Sequence, residues 1–202
     1  MVVVVIMATA WSAIQPYHYA TWFFELFIGA IGIAVLLFTY KRFRFTPVIY
    51  LVVAVHYVIL AAGAKYTYAE MPLFDWLKDV LDLSRNHFDR VGHFAQGFTA
   101  AIVVRELLIR RTRLVTPWIR DGLSVCVALA FSAAYEILEW FWVLIFFPDS
   151  GPQWLGMQGD PWDAQADMLL AVIGGAVAIA LIGRVQDGQI RFLISGRAGQ
   201  EI

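Results

Sequence analysis

The amino-acid sequence predicts an all-α protein: a polytopic bundle of about six transmembrane helices, with a short amphipathic helix on its outer surface. Of the 202 residues, 60% are hydrophobic and only 15% are charged. The mean hydropathy of +0.68 is far above that of a soluble domain of this size. The apolar residues fall into long runs, and about 20 such residues form a helix that crosses ~30 Å of hydrocarbon. One integral membrane domain, residues 1–202, is therefore expected.

The predicted spans follow one another with short polar connections. They are residues 1–14, 21–40, 47–64, 91–109, 122–147 and 166–183. The first contains Ala8-Thr9-Ala10, which is typical of signal-peptidase sites, but no basic residue precedes its apolar core. We therefore expect a retained helix rather than a cleaved signal peptide. The single cysteine, Cys126, lies in an apolar run, which excludes a disulfide framework and a thiolate metal cluster.

Basic residues fall on one side of the predicted bundle. They are Lys41, Arg42, Arg44, Arg110, Arg111, Arg113, Arg120, Arg184, Arg191 and Arg197. By the positive-inside rule this side is the cytoplasm. Both termini are then cytoplasmic, and residues 65–90 and 148–165 face outward.

The outward segment between Glu70 and Arg85 has a helical pattern of its own. Apolar residues lie on one arc and charged residues on the other, which predicts a short amphipathic helix. The apolar members are Leu73, Phe74, Leu77, Val80 and Leu81, and the charged ones are Asp75, Lys78, Asp79 and Asp82. This acidic face makes attraction to anionic lipid a poor explanation. A cover over a vestibule and a solvated interfacial helix both stay open.

Carboxylates lie inside the predicted spans, where an ionised group costs about 2.5–3.5 kcal/mol on an insertion scale. The fifth span contains "YEILEW", which places Glu136 and Glu139 on one helix face. The fourth span begins within "NHFDRVGHFAQGF", in which Asp89, His93 and Gln96 share a face by their spacing. Such groups need partners, protons or water, so we expect the two helices to meet.

The last span begins within "GDPWDAQADM", which contains three aspartates. Asp160 precedes a proline, as a helix N-cap often does, and Asp163 suits either the positive end of the helix dipole or a site. Asp167 lies too deep to cap the helix, so we expect Asp163 and Asp167 to turn inward. Arg90, one step round the fourth helix, either neutralises a carboxylate or binds a substrate anion.

Three strings carry a family resemblance: "HFDRVGHFAQGF", "AAYEILEW" and "GMQGDPWDAQADM". In this order they resemble the YjdF family of uncharacterised bacterial inner-membrane proteins, from about the second span to Gln186. More loosely, the order of acidic residues and histidine is similar to VanZ-like proteins. The resemblance implies a bacterial cytoplasmic membrane and a polytopic helical fold, and it supplies no reaction. The motif positions are Asp89, Arg90, His93, Gln96, Glu136, Glu139, Gln158, Gly159, Asp160, Trp162, Asp163, Gln165 and Asp167.

The polar residues leave three functional classes open. The first is an outward-opening intramembrane site that acts on an envelope lipid or lipid-linked substrate, with Glu136 as proton acceptor and Arg90 as anion ligand. A divalent ion, Zn²⁺, Mn²⁺ or Fe²⁺, would suit its mixed oxygen and imidazole ligands. These ligands would be His93, Glu139, Asp163 and Asp167. The second class is a proton- or cation-coupled transporter, and the third is a non-catalytic membrane protein whose polar network fixes helix register.

Charge distribution favours a site over a transport pathway. A transporter needs polar residues along a full path, whereas we expect the cytoplasmic halves of the spans to be almost uncharged. The sequence has no nucleic-acid motif or phosphate-cradling loop at credible spacing. The expected partner is therefore membrane lipid and not nucleic acid.

Overall fold

The described part of the chain contains seven α-helices. The structure, a computed structural model, describes residues 1–146 and 157–198, and these contain no β-strand. The helices are α1 (Val2–Ser12), α2 (Tyr19–Thr39), α3 (Pro47–Tyr66), α4 (Pro72–Val80), α5 (Phe88–Arg111), α6 (Pro117–Phe146) and α7 (Asp163–Ala198). The prediction of an all-α bundle is confirmed for these residues.

Four helices, α2, α3, α6 and α7, are long and apolar enough to cross a membrane. Helix α5 has 24 residues, which rise about 36 Å, but its charged residues set it apart from the apolar spans. It is instead enclosed by α3, α6 and α7. Helix α1 has only 11 residues and rises about 16 Å. The predicted first span is therefore a helix of roughly half the ~30 Å hydrocarbon thickness.

Prolines mark where three helices begin. Pro47, Pro72 and Pro117 are the first residues of α3, α4 and α6, where a missing backbone N–H removes no helical hydrogen bond. Helix α4 confirms the predicted amphipathic helix. The last helix is longer than predicted and continues past position 183 to Ala198, because no proline interrupts it. The predicted end of the fifth span and half of the following loop fall in 147–156, outside the described residues.

Small residues bring α5 and α7 into direct backbone contact. A Cβ atom added to Gly97 of α5 would collide with the backbone of Ala171 on α7. One added to Gly174 of α7 would collide with the carbonyl oxygen of Phe94 on α5. Glycine is therefore required at both positions for this separation. This contact between Gly97 and Ala171 sets the register of the two helices.

Helix α4 lies beside the N-terminal end of α5. The rings of Phe74 and Phe88 meet edge to face, with centroids 5.3 Å apart. Between these helices, the fully buried Asn86 donates hydrogen bonds to the carbonyl oxygen of Met71 (3.1 Å) and to Asp75 Oδ1 (3.0 Å). The short helix is thereby attached to the segment that carries the polar residues of α5.

Candidate functional site

The packing of α5 on α7 places two rows of polar side chains opposite each other. The helices run in the same direction from the Gly97 contact. One turn toward their N-termini, His93 lies opposite Asp167, and one further turn places Asp89 near Asp163. All four side chains belong to buried residues. The expected inward direction of both aspartates therefore agrees with the structure.

Three of these side chains form a group that can hold a metal ion. One oxygen each from Asp89 and Asp167 and one ring nitrogen of His93 lie within 4.8 Å of one another. Ligand atoms of a single Zn²⁺ lie at most about 4.2 Å apart, so small side-chain rotations would bring all three onto one ion. Asp167 is only 2% exposed, and its Oδ1 accepts no hydrogen bond from the described residues. An ion would satisfy that oxygen.

His93 is held between carboxylates and a hydroxyl group. Its Nε2 lies 3.6 Å from Asp89 Oδ1 and 3.4 Å from Glu136 Oε1. Its Nδ1 lies 3.4 Å from the hydroxyl of Ser132. A neutral imidazole can therefore direct one nitrogen toward the carboxylates or an ion and the other toward Ser132. Glu136 Oε1 has no hydrogen-bond donor within the described part of the chain, which leaves it free to accept a proton.

Two arginines hold the aspartates at the start of α7. Arg90 Nη2 donates to Asp160 Oδ2 (2.7 Å) and to Asp163 Oδ1 (3.0 Å), and its Nε lies 3.6 Å from Asp167 Oδ1. Arg85 Nη1 also donates to Asp163 Oδ1. The Asp160 carboxylate further accepts the backbone N–H of Trp162 at 2.9 Å. Its N-cap-like role is therefore combined with ion pairing.

Negative groups outnumber positive ones in this region. We call the following set the acidic cluster: Glu25, Asp89, Glu136, Glu139, Asp160, Asp163 and Asp167. Only Arg85 and Arg90 offer permanent positive charge to it within the described residues. Buried carboxylates without cations are costly, so the surplus must be offset by protons, water or a metal ion.

A cavity of about 600 Å³ opens beside the acidic cluster. Helices α2, α3, α5 and α6 line it, and apolar side chains form most of its wall. Asp89, His93, Glu25 and Glu139 lie at one end. The hydroxyl of Tyr135 on α6 donates to Glu25 on α2 at that end. These four polar side chains therefore line the same cavity as the apolar wall.

The predicted site residues are distributed among these features. Of the predicted metal ligands, His93 and Asp167 belong to the three-residue group. Asp163 accepts hydrogen bonds from Arg85 and Arg90, Glu139 lines the cavity, and neither belongs to the group. Asp89 takes part in that group instead. Gln96 is buried at the cavity wall, whereas Gln165 is exposed and contributes no contact to the cluster among the described residues.

Comparisons with known proteins place the chain in a family. A family model described as "Predicted membrane protein (DUF2238)" matches residues 1–188. The chain is also 36% identical over 181 residues to "Inner membrane protein YjdF" of Escherichia coli (strain K12), which covers 90% of this chain and 86% of that protein. The chain belongs to this family. No solved structure matches it.

Membership of the YjdF family confirms the resemblance carried by the three polar strings. The chain is a multi-pass inner-membrane protein. The family match extends from α1 into α7 and includes the whole acidic cluster. It also includes a second charged region, at the opposite end of α5.

That second region corrects one expectation. Arg105 and Glu106, near the C-terminal end of α5, are 3% and 0% exposed, so the expectation that this half of the spans is almost uncharged is wrong. Arg105 donates to Asp121 Oδ1 (2.9 Å), Asp187 Oδ1 (2.8 Å) and Gln186 Oε1 (2.9 Å). The region joins α5 to α6 and α7. The distribution of charge along the spans therefore does not argue against a transport pathway.

Sequence reasoning missed two members of the site. Glu25 lies within the apolar string "WFFELF" of α2 and is 5% exposed. A lone carboxylate in a predicted span is a recognisable signal of function. Arg85 gave no such signal, because it lies in a polar connection just before α5, where arginines are ordinary. Only the fold shows that it is 4% exposed and turned toward Asp163.

Proposed function

We propose that the protein is a membrane-embedded metal-dependent enzyme that acts on an envelope lipid or lipid-linked substrate. Its site opens to the outer face of the inner membrane, and both chain termini lie in the cytoplasm. Asp89, His93 and Asp167 hold a divalent ion, and Glu136 accepts a proton. Glu139 lies where a substrate or an additional ligand would reach the ion.

One observation carries the proposal: three ligand atoms of the right chemical types converge within 4.8 Å in a buried position. Asp167 Oδ1 accepts no hydrogen bond from the described residues, and the acidic cluster has a surplus of carboxylates; both observations support the proposal, since a divalent cation would offset both. Two carboxylates and one imidazole suit Zn²⁺, Mn²⁺ or Fe²⁺. Such a set leaves coordination positions open for water and substrate.

The chemistry follows from the neighbours of the ion. A bound divalent ion activates water and polarises a carbonyl or phosphoryl oxygen. Glu136 Oε1 lies 3.4 Å from His93 Nε2, next to the group, and accepts no hydrogen bond from the described residues, so it would accept a proton from a water bound there. Arg90 already binds Asp160 and Asp163. An anionic headgroup reaching Arg90 would displace Asp160, the more exposed of these two partners.

The orientation in the membrane follows from the basic residues. Arg44, after α2, and Arg113, after α5, lie on the side that the positive-inside rule assigns to the cytoplasm. A reporter fused after either residue should be active in the cytoplasm, and one inserted at Leu83, between α4 and α5, should be external. The opposite pattern would turn the acidic cluster inward and contradict an envelope substrate.

Metal analysis of the detergent-purified protein tests the site. After incubation with Zn²⁺ and removal of free metal, wild type should retain one ion per chain. Asp167→Asn should reduce retention at least tenfold, as loss of metal-site contacts typically does. Asp79→Asn removes a carboxylate from the exposed face of α4 and is the matched control, with unchanged retention. Equal retention by wild type and Asp167→Asn, or none by wild type, would refute the metal site.

A proton- or cation-coupled transporter is the second candidate, favoured by polar atoms further along α5. Gln96 Oε1 and Thr99 Oγ1 are buried without hydrogen-bond partners among the described residues, and both side chains line the cavity. They extend the acidic cluster toward the centre of the helix. Proteoliposomes with a pH-sensitive dye inside distinguish the candidates. Proton flux that Asp167→Asn abolishes would support transport, whereas flux equal to that of empty vesicles would exclude proton transport.

A further inference from the structure

The cavity beside the acidic cluster has the shape of a binding site for a chain molecule. Along α2 its lining runs from Glu25 to Thr39, a rise of about 21 Å. One leaflet of the hydrocarbon core is only about 15 Å thick. The cavity therefore extends along the membrane normal for more than one leaflet, from a polar end at Glu25 to a mostly apolar remainder.

The cavity opens sideways between α2 and α6. Val35 of α2 and Val127 and Phe131 of α6 line it, yet these residues are 53%, 44% and 46% exposed. Contacts between the two helices lie toward one end, where Phe24 stacks on Trp142 with ring centroids 4.8 Å apart. An apolar side opening on a membrane-spanning bundle faces lipid. Molecules can thus enter it without leaving the membrane.

We infer that this cavity binds one hydrocarbon chain of a membrane lipid, which enters between α2 and α6 and places the lipid's polar end at the acidic cluster. A hydrocarbon chain needs no hydrogen bonds from the apolar wall. A non-helical polypeptide segment would bring backbone N–H and C=O groups that each cost several kcal/mol when unsatisfied in such a place, which argues against an extended segment of a second copy as occupant. The position of the polar end rests on the proposed function; binding of the chain does not.

Gly32 provides a substitution that fills the cavity without disturbing the packing. It lines the cavity on α2, and a Cβ atom added there would meet no atom within 4 Å. Gly32→Leu therefore places a side chain in the space that the lipid chain would occupy. Gly122 on α6 is the matched control, because a Cβ atom there also meets nothing within 4 Å and it does not line the cavity.

Photolabelling tests the inference. The probe is a phosphatidylethanolamine with a diazirine at the end of one acyl chain, added to nanodiscs of unlabelled phosphatidylethanolamine and phosphatidylglycerol. After irradiation, peptide mass spectrometry should find adducts on cavity-wall residues of three helices: Ile33, Val53 and Val104. Gly32→Leu should lower these adducts at least fivefold, and Gly122→Leu should leave them unchanged.

Two results would overturn the inference. Adducts confined to outward residues such as Phe38, which is 86% exposed, would mean that lipid only surrounds the protein. Equal labelling of the cavity wall in Gly32→Leu and wild type would mean that the chain does not occupy this space. Zn²⁺ retention measured on the same samples separates the two proposals. Cavity labelling without bound metal would refute the metal site alone, and metal retention without cavity labelling would refute the lipid chain alone.

Discussion

The two charged regions of α5 differ in how completely their groups are paired. At the C-terminal end, the paired cluster comprises Thr46, Arg105, Glu106, Arg110, Asp121, Gln186 and Asp187. Glu106 alone accepts the backbone N–H of Thr46 (3.1 Å), its hydroxyl (2.6 Å) and a hydrogen bond from Arg110. At the other end, seven carboxyl groups share two arginines, and buried oxygens of Glu136 and Asp167 accept no hydrogen bond from the described residues.

This difference separates structural from functional use of buried charge. A complete network stabilises one arrangement of helices, because removing a member leaves its partners buried and unpaired. An incomplete one is costly unless something else binds there, and such sites are where ligands, protons or ions are handled. Neutralising a carboxylate should therefore lower the stability of the protein when the carboxylate is paired, and should leave it unchanged when the carboxylate has no cationic partner.

The largest effect is expected in the paired cluster. Glu106→Gln leaves the buried Arg110 without its counter-charge and should lower the free energy of unfolding by about 3 kcal/mol. Glu139→Gln, the same change in the acidic cluster, should leave stability unchanged, because Glu139 has no cationic partner among the described residues. Unfolding in a titration with sodium dodecyl sulfate measures both. Equal losses in the two variants would remove the distinction between the regions.

The next largest effect on stability concerns Asp163, which belongs to the acidic cluster but is paired with arginines. It is 5% exposed and accepts hydrogen bonds from Arg85 and Arg90, so Asp163→Asn should cost about 2 kcal/mol. Asp160→Asn is the control and should cost less, since this side chain is partly exposed and Asn retains a capping oxygen. Asp163→Asn should also retain Zn²⁺. Loss of metal with stability unchanged would make Asp163 a ligand, as the sequence predicted.

A smaller effect of opposite sign on the free energy of unfolding is expected for Asp167→Asn. Its Oδ1 has no hydrogen bond from the described residues, and a neutral amide is easier to bury than a carboxylate. In the presence of a metal chelator, Asp167→Asn should therefore hold the free energy of unfolding constant or raise it by up to about 1 kcal/mol. The same titration against wild type measures the change. A clear loss of stability without metal would assign Asp167 to a structural network.

The sequence predicted the helices well because hydrophobic runs and proline starts are local signals. The lengths of the runs located α2, α3, α5 and the start of α6 to within about five residues, and the acidic amphipathic pattern located α4. The end of α7 was missed, because the helix continues beyond its apolar run and no local signal stops it.

The sequence predicted the residue types of the candidate site but not which side chains of α5 meet which side chains of α7. Helical spacing placed Asp89 with His93 and Asp163 with Asp167, since faces follow from periodicity alone. Which face meets which depends on helix register. That register is set by the close approach at Gly97, which no spacing rule ranks against other small residues. For the same reason helical spacing did not show that Asp89, His93 and Asp167 come within 4.8 Å of one another.

The smallest expected effect is a dependence on pH at the edge of the acidic cluster. The backbone N–H of Trp162, and then the guanidinium of Arg90, hold the pKa of Asp160 below its ordinary value. A carboxyl group with a lowered pKa in the folded state adds stability that is fully present above its unfolded value of about 3.9. That contribution is lost only as the pH falls through the lower, folded value.

The difference in stability between wild type and Asp160→Asn measures this contribution directly, because Asn cannot titrate at this position. The difference should be constant from about pH 8 to pH 5 and should shrink only below about pH 4, where unfolded Asp begins to bind protons. Because Arg90 also binds Asp163, it keeps a partner when Asp160 is protonated, so the loss stays small. A difference that already disappears between pH 7 and pH 5 would mean that Asp160 is coupled to the unpaired carboxylates and not to Arg90.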